Sequence, residues 1–388
     1  MDIIINQRHA VEVADVLKLS QQGLKTKYNL CSTQQNALDA LIRCRTRQNG
    51  GHLNSCTKCG HKEQSYNSCR DRHCPKCQFI KQEQWVDKLK SRLMPGRYFH
   101  VVFTIPHQLN PIFYINQRKC YKILFSSAWE TLKKAGNNSG FLGAQVGAVA
   151  VLHTWGQTLS YHPHIHMLVP AGGLSEDGME WVQASRKFFV PVKALSAMFR
   201  GIMIRQLKDL IETNELKMPD SFNDFVTLKT ELYAKNWNVY CKKALGGMNS
   251  VLQYLGQYTH RVAISNSRLL AIQNAKVSFR YRDYRLEQSR YQHKIMELDT
   301  LEFSRRFLQH ILPSGFYKIR YYGILATVNI TTKREQSIAL IGETMWLSQL
   351  EGLNAYEVLR LLTGKDPARC PICKEGFMRR YKNLIQKE

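Results

Sequence analysis

No apolar run in this chain approaches the roughly 18 residues a helix needs to cross a bilayer, which excludes an integral helical membrane protein. The opening residues, Met1-Asp-Ile-Ile-Ile-Asn-Gln-Arg8, lack the basic, apolar and small-residue order of a secretory leader. A cytoplasmic protein without membrane partners is therefore expected. Internal repeats, low-complexity tracts and long disordered linkers are absent too, which sets aside solenoids and fibrous chains. Acidic residues are scarce: 30 Asp and Glu face 55 Lys and Arg, leaving a formal net charge of +25 and a pI near 9.7. Such an imbalance marks a phosphate-rich partner, with an anionic membrane surface as the bland alternative.

What is present is an ordinary globular composition, 44% hydrophobic and 22% charged over 388 residues, enough for two or three domains with their own cores. Residues 1–50 carry helical spacing, with Val11, Val13, Val16 and Leu17, then Ala37, Leu38, Leu41 and Ile42 after Ser32-Thr33. Residues 51–95 hold a segment rich in Gly, Cys, His and Asn, followed by a charged helix over 80–93 that ends before Pro95-Gly96. From there the period changes. Phe99-His-Val-Val-Phe-Thr-Ile105 reads as a buried strand and residues 116–135 as a helix. Val146–Trp155 and His162–Val169 read as two strands joined by a short loop, and Phe188-Phe-Val-Pro-Val as a further short strand. Helical segments are expected over 193–213 and 223–243, forming an insertion in a domain spanning 96–275. Residues 276–388 form a mixed basic region with Phe279-Arg-Tyr-Arg-Asp-Tyr-Arg285 and Lys318-Ile-Arg-Tyr-Tyr322.

The eleven cysteines are mostly clustered in CxxC pairs, which in a chain without an export signal favours metal over disulfides. Cys56-Thr-Lys-Cys59 and Cys74-Pro-Lys-Cys77 are separated by fourteen residues, a spacing that allows four thiolates to converge on one structural zinc. The segment is too polar to fold by burial, and zinc supplies folding free energy of order 10 kcal/mol. Cys69, His73, His52 and His61 are candidates to replace one ligand or to serve a second ion. Cys370-Pro-Ile-Cys373 lacks a second pair nearby, so a turn with free thiols and a metal site are equally open there. Arg70, Arg72 and Lys76 make the module a candidate DNA binder, together with Lys58 and Lys62.

Two motifs carry chemistry. In His162-Pro-His164-Ile-His166, the last two imidazoles face one side of a strand because side chains alternate, so they can share one divalent ion. A third ligand is needed; His153, at the end of the preceding strand, is the first candidate and Gln157 the second. The same spacing fits the histidine-triad nucleotide hydrolases, small domains that usually lack zinc knuckles and a strong basic excess. Downstream, Tyr254-Leu-Gly-Gln-Tyr258 places two phenols on one helical face, with Arg261 and then Arg268 following as candidate phosphate contacts. A phenol with a pKa near 10 becomes a useful nucleophile where a metal and basic groups stabilise the phenolate.

Together these residues resemble the IS91-type rolling-circle transposases, part of the HUH (His-hydrophobic-His) endonuclease superfamily. The likeness covers nearly the whole chain, in order: Tyr66-Asn-Ser-Cys69-Arg-Asp-Arg-His73-Cys74-Pro-Lys-Cys77, Phe103-Thr-Ile-Pro-His107, His153-Thr-Trp-Gly-Gln157, His162–His166, Tyr254–Arg261, Glu302–Phe316 and Lys318–Gly323. Gln257 stands where a basic residue is expected. The resemblance implies an α+β fold: a central antiparallel sheet flanked by helices, palm-like, with an N-terminal helical and zinc-ribbon-like module and the tyrosine helix beside the sheet. It implies magnesium or manganese held by His164 and His166, Tyr254 and Tyr258 as nucleophiles, and single-stranded DNA, hairpins at transposon ends and target DNA as partners. The product is a 5′-phosphotyrosine with a free 3′-hydroxyl, made in a bacterial cytoplasm at the nucleoid. A replication initiator or relaxase using the same chemistry, and a domesticated zinc-dependent DNA-binding protein, are the alternatives.

Overall fold

The computed structural model describes residues 11–184, 190–243, 263–283 and 292–384. Helices α1 (Val13–Lys27) and α2 (Ser32–Arg43) precede a hairpin of β1 (Gly51–Cys56) and β2 (Lys62–Tyr66), and then α3 (Phe79–Arg92). Next come β3 (Tyr98–Thr104), α4 (Asn110–Ile115), α5 (Gln117–Asn137), β4 (Gly147–Trp155) and β5 (Tyr161–Pro170). A small hairpin, β6 (Gly172–Leu174) and β7 (Trp181–Gln183), leads to α6 (Val192–Glu212), α7 (Phe225–Tyr233) and β8 (Val239–Lys243). The remainder holds β9 (Leu269–Gln273), β10 (Lys276–Asp283), β11 (Gln292–Asp299), α8 (Thr300–Leu308), β12 (Ile319–Gly323), α9 (Glu335–Ile341), α10 (Ala355–Thr363) and β13 (Met378–Leu384).

Five strands form the central antiparallel sheet, in the order β12-β4-β5-β3-β8, so the fold class is the α+β one expected. Its middle strands are apolar on both sides because both faces are covered. Ala148, Ala150 and Leu152 of β4 and Ile165, Met167 and Val169 of β5 pack with α5 and α6, including Phe125, Leu132, Phe199 and Met203. On the opposite face Val149, Val151 and Leu168 meet Leu89 of α3, then Leu93, Met94, Ile324 and Leu325. At the exit of β12, Gly323 has φ +58°, and a Cβ there would lie 2.0 Å from the Val146 carbonyl oxygen, so only glycine lets the two strands close.

One expectation is corrected. The helix over 223–243 stops at Tyr233, and β8 lies at the sheet edge beside β3. Past the buried Trp237 the pattern turns to period two, with Val239 and Cys241 toward the core and Tyr240 outward. Segments far apart in the chain share cores and sheets. The N-terminal helices share a core with β9, β10 and α8 through Leu17, Leu24, Leu38, Phe279, Phe303 and Phe307. Ser20 and Ser304 hydroxyls bond at 2.6 Å across that seam. β12 completes the central sheet, and β13 joins β1 in a three-stranded sheet ordered β13-β1-β2. The strand expected at Phe188 and the tyrosine helix lie outside the described residues.

A buried carboxylate ties the α9–α10 connection to α3. Asp87, 7% exposed, accepts hydrogen bonds from Ser348 Oγ (2.5 Å), the Gln349 and Leu350 amides (2.8 Å each) and Trp346 Nε1 (3.3 Å). Burial pushes its pKa up, but these bonds outweigh burial and hold it below the ordinary carboxylate value. Its stabilisation is thus present above the ordinary value and is lost as pH falls through the lowered one. Asp87→Ala leaves the donors unpaired and is expected to cost about 2–3 kcal/mol. Urea unfolding at neutral pH checks this, and an unchanged midpoint would show the contact to be marginal.

Candidate metal centre

The β4–β5 pair brings three histidines together. Its antiparallel register sets His153 opposite His164 and Val151 opposite His166. Since 153, 164 and 166 all lie on the α3-side face, their imidazoles converge at the sheet end beyond the apolar patch of Val149, Val151 and Leu168. Ligand atoms of the three lie within 4.8 Å of one another. Ring centroids stand 4.2 Å apart for His153 and His166, and 4.9 Å for His164 and His166. His153 and His166 are 2% and 7% exposed. Burial, followed by neighbouring histidines, pushes His164 down to about 3 and His166 well below its ordinary value. The rings are therefore neutral near pH 7 and offer lone pairs.

The neighbours orient those lone pairs. His164 Nδ1 donates to its near neighbour, the His162 carbonyl, at 2.6 Å, which leaves Nε2 as its acceptor nitrogen. His100, on β3, stacks parallel to His166 with its Nε2 2.8 Å from His166 Nδ1. Burial lowers His100 to about 4, so it too is neutral. His310 is fully used: its Nε2 donates to the Leu159 carbonyl and its Nδ1 accepts from Thr154 Oγ1 at 3.1 Å. With Arg306, which donates to the Thr158 carbonyl, it pins the β4–β5 loop just past His153. Gln157, the second candidate for a third ligand, accepts at its side-chain oxygen from the Arg282 amide at 3.4 Å; His153 is the candidate that the register delivers to the pair. Tyr254, Tyr258 and Arg261 lie outside the described residues.

The cysteines assemble differently from the single site expected of Cys56, Cys59, Cys74 and Cys77. Cys74 and Cys77 join Cys44 and Cys69, while Cys56 and Cys59 join Cys370 and Cys373. The reason is the intervening strand: β2 runs five residues in extended form and carries the chain roughly 16 Å from the first knuckle before the second begins. In the first set Sγ–Sγ distances are 3.2 Å (Cys44–Cys77), 3.6 Å (Cys44–Cys74) and 3.7 Å (Cys69–Cys77). A tetrahedral zinc with bonds of about 2.3 Å separates its sulfurs by about 3.8 Å, against about 2.05 Å in a disulfide, so these thiols fit zinc. His73 belongs to neither set; its Nδ1 bonds Asp71 at 3.0 Å and its Nε2 accepts from the Leu312 amide. His52 and His61 are likewise outside both.

Three basic residues offered as DNA contacts bond other groups of the protein. Arg72 donates to the carbonyls of Leu312, Pro313 and Phe316. Lys76 bonds Glu12 at 2.8 Å and the Cys44 carbonyl at 3.1 Å. Arg268 is spent on the Arg280 and Gln157 carbonyls. Arg70 is exposed. Sequence reasoning missed His100 and Cys44. Cys44 stands alone at the end of α2 with no CxxC spacing, and the only signal for His100 was its place on a strand two steps from the histidine pair's partner residues.

Comparison with known proteins agrees with this architecture. Residues 147–334, which contain the histidine cluster, match a family model described as "Putative transposase". Residues 16–105, which contain the first thiol set, match a transposase zinc-binding domain. The chain is 39% identical over 380 residues to a Sinorhizobium fredii protein named "Putative transposase y4qJ", covering 96% of this chain and 95% of that one. It is 31% identical over 275 residues to the transposase for insertion sequence element IS801 of Pseudomonas savastanoi pv. phaseolicola, covering 69% and 64%. No solved structure matches it. No helix among the described residues is long and apolar enough to cross a membrane.

Proposed function

Since the chain belongs to the IS91-type transposases, we propose that it moves DNA by nicking and rejoining a single strand, with His153, His164 and His166 holding the catalytic divalent ion. The convergence of three imidazoles on one end of the central sheet supports this most strongly. An all-nitrogen donor set fits a divalent ion, manganese better than magnesium. When bound, the ion polarises the scissile phosphate and offsets its developing charge. His164 and His166 present Nε2 to it, and His100 accepts from His166 Nδ1–H so that the ring keeps the ligating tautomer. His310 and Arg306 hold the loop that follows His153.

Tyr254 and Tyr258 are proposed as the nucleophiles. The phenolic oxygen forms a bond to phosphorus, the bond to the 3′ oxygen breaks, and that oxygen leaves as a hydroxyl after taking a proton. Attack by a 3′-hydroxyl on the phosphotyrosine reverses the step and joins a new strand, so no external energy source is needed. One tyrosine serves the donor strand and the other the target.

The test incubates the protein with single-stranded DNA from the flanks of its own gene, with manganese or with EDTA, and resolves the products on denaturing gels. A manganese-dependent covalent adduct is expected, lost for one strand with Tyr254→Phe and for the other with Tyr258→Phe. Tight binding without an adduct on any strand, or an adduct that survives both changes together, rules out tyrosine strand transfer.

A further inference from the structure

We propose that Cys56, Cys59, Cys370 and Cys373 hold a second structural zinc ion, which fastens the C-terminal strand of the chain to its N-terminal module. The matched zinc-binding domain ends at residue 105 and contains only half of this set. The sulfurs meet across more than 300 residues, 3.6 Å apart for Cys56 and Cys373 and 3.7 Å for Cys59 and Cys370. These are the edges of a zinc tetrahedron, about 3.8 Å, and are far from a disulfide at about 2.05 Å.

Each pair sits in a tight turn whose amides point at sulfur. The Lys58 and Cys59 amides approach Cys56 Sγ at 3.4 and 3.5 Å, and the Gly376 amide approaches Cys373 Sγ at 3.3 Å. Amide donors of this kind stabilise thiolates and fix their direction toward an ion. Gly376 is required by the closeness of the two turns, since a Cβ there would lie 2.4 Å from Cys56 Sγ. The Thr57 amide bonds the Phe377 carbonyl at 3.0 Å, and Lys58 pairs with Glu375 across the junction.

Apolar burial does little to hold the terminal strand. β13 runs alongside β1 from Cys56 opposite Met378 to Gly51 opposite Leu384, yet all five residues 379–383 are exposed. Backbone hydrogen bonds to an edge, with almost no apolar burial, do not offset the entropy of ordering seven residues. A closed four-thiolate site does. It would hold Arg379, Arg380 and Lys382 as an exposed basic row on the zinc-bearing sheet.

Zinc counting tests this without any reference to strand cleavage. The protein as purified is expected to carry two zinc ions per chain by elemental mass spectrometry. Cys370→Ser with Cys373→Ser is expected to carry one, with the segment after residue 364 now cut by trypsin. Should that variant fold poorly, wild-type protein stripped of zinc and titrated with cobalt decides the question, because tetrathiolate absorption is expected to rise linearly to two equivalents. One zinc in the wild type, two in the double variant, or a cobalt endpoint at one equivalent would overturn the second site.

Discussion

His166→Ala is expected to reduce manganese-dependent nicking by about 10³-fold or more, with no rescue by added manganese, whereas His100→Ala is expected to lose only about 10- to 100-fold. The difference follows from position. His166 supplies a ligand atom and is flanked by both other imidazoles, with centroids at 4.2 and 4.9 Å, so its loss leaves two nitrogens that no longer surround an ion. His100 supplies no ligand atom to the cluster; it stands 2.8 Å from His166 Nδ1 and sets that ring's orientation. Its removal lets the ring turn, which weakens metal affinity without removing a ligand, and excess manganese is expected to restore much of the activity of His100→Ala. A manganese titration of nicking for both variants, alongside thermal melting, separates this from a packing role. Should His166→Ala nick at wild-type manganese concentrations, the histidine cluster is merely a set of satisfied core residues.

The features legible in the sequence were those with local causes. Alternation in His162–Val169 and the apolar run before His153 announced the β4–β5 pair, and a charged, amphipathic segment before Pro95 announced α3. Which strands pair is not a local property. β12 and β13 carry no signal that one completes the central sheet and the other the N-terminal one, because a strand's partner is fixed by cores that assemble from distant segments. The same holds for the thiols. A CxxC pair declares a half-site, and the nearest second pair in sequence was the natural complement for Cys56 and Cys59. The structure instead supplies Cys370 and Cys373, since β1 lies between β2 and β13 and turns its end toward the latter. β8 was hidden by its length: five residues soon after a helix, with Val239 and Cys241 facing inward.

Loss of the first thiol set is expected to reach furthest. Cys44 and Cys74 are buried in the core that also holds Leu17, Leu38, Phe303 and Phe307, so a zinc ion held there would do more than shape a loop: it would fill the junction between the N-terminal helices and α8. Structural zinc contributes about 10–16 kcal/mol in small modules. Cys74→Ser removes one of four ligands and places a hydroxyl where a buried sulfur stood, so a loss of several kcal/mol and a fall in Tm of at least about 10 °C are expected. Damage is expected to spread along named contacts. Arg72 and His73, on the same knuckle, hold the carbonyls and amide of residues 312–316, next to His310, which pins the loop after His153. Hydrogen exchange should therefore rise in α1, α2 and α8 first and then in the β4–β5 loop, with strand nicking falling although no catalytic group has changed. Zinc loss confirmed by elemental analysis, with melting and exchange both unaltered, would show that the helical core stands without the ion.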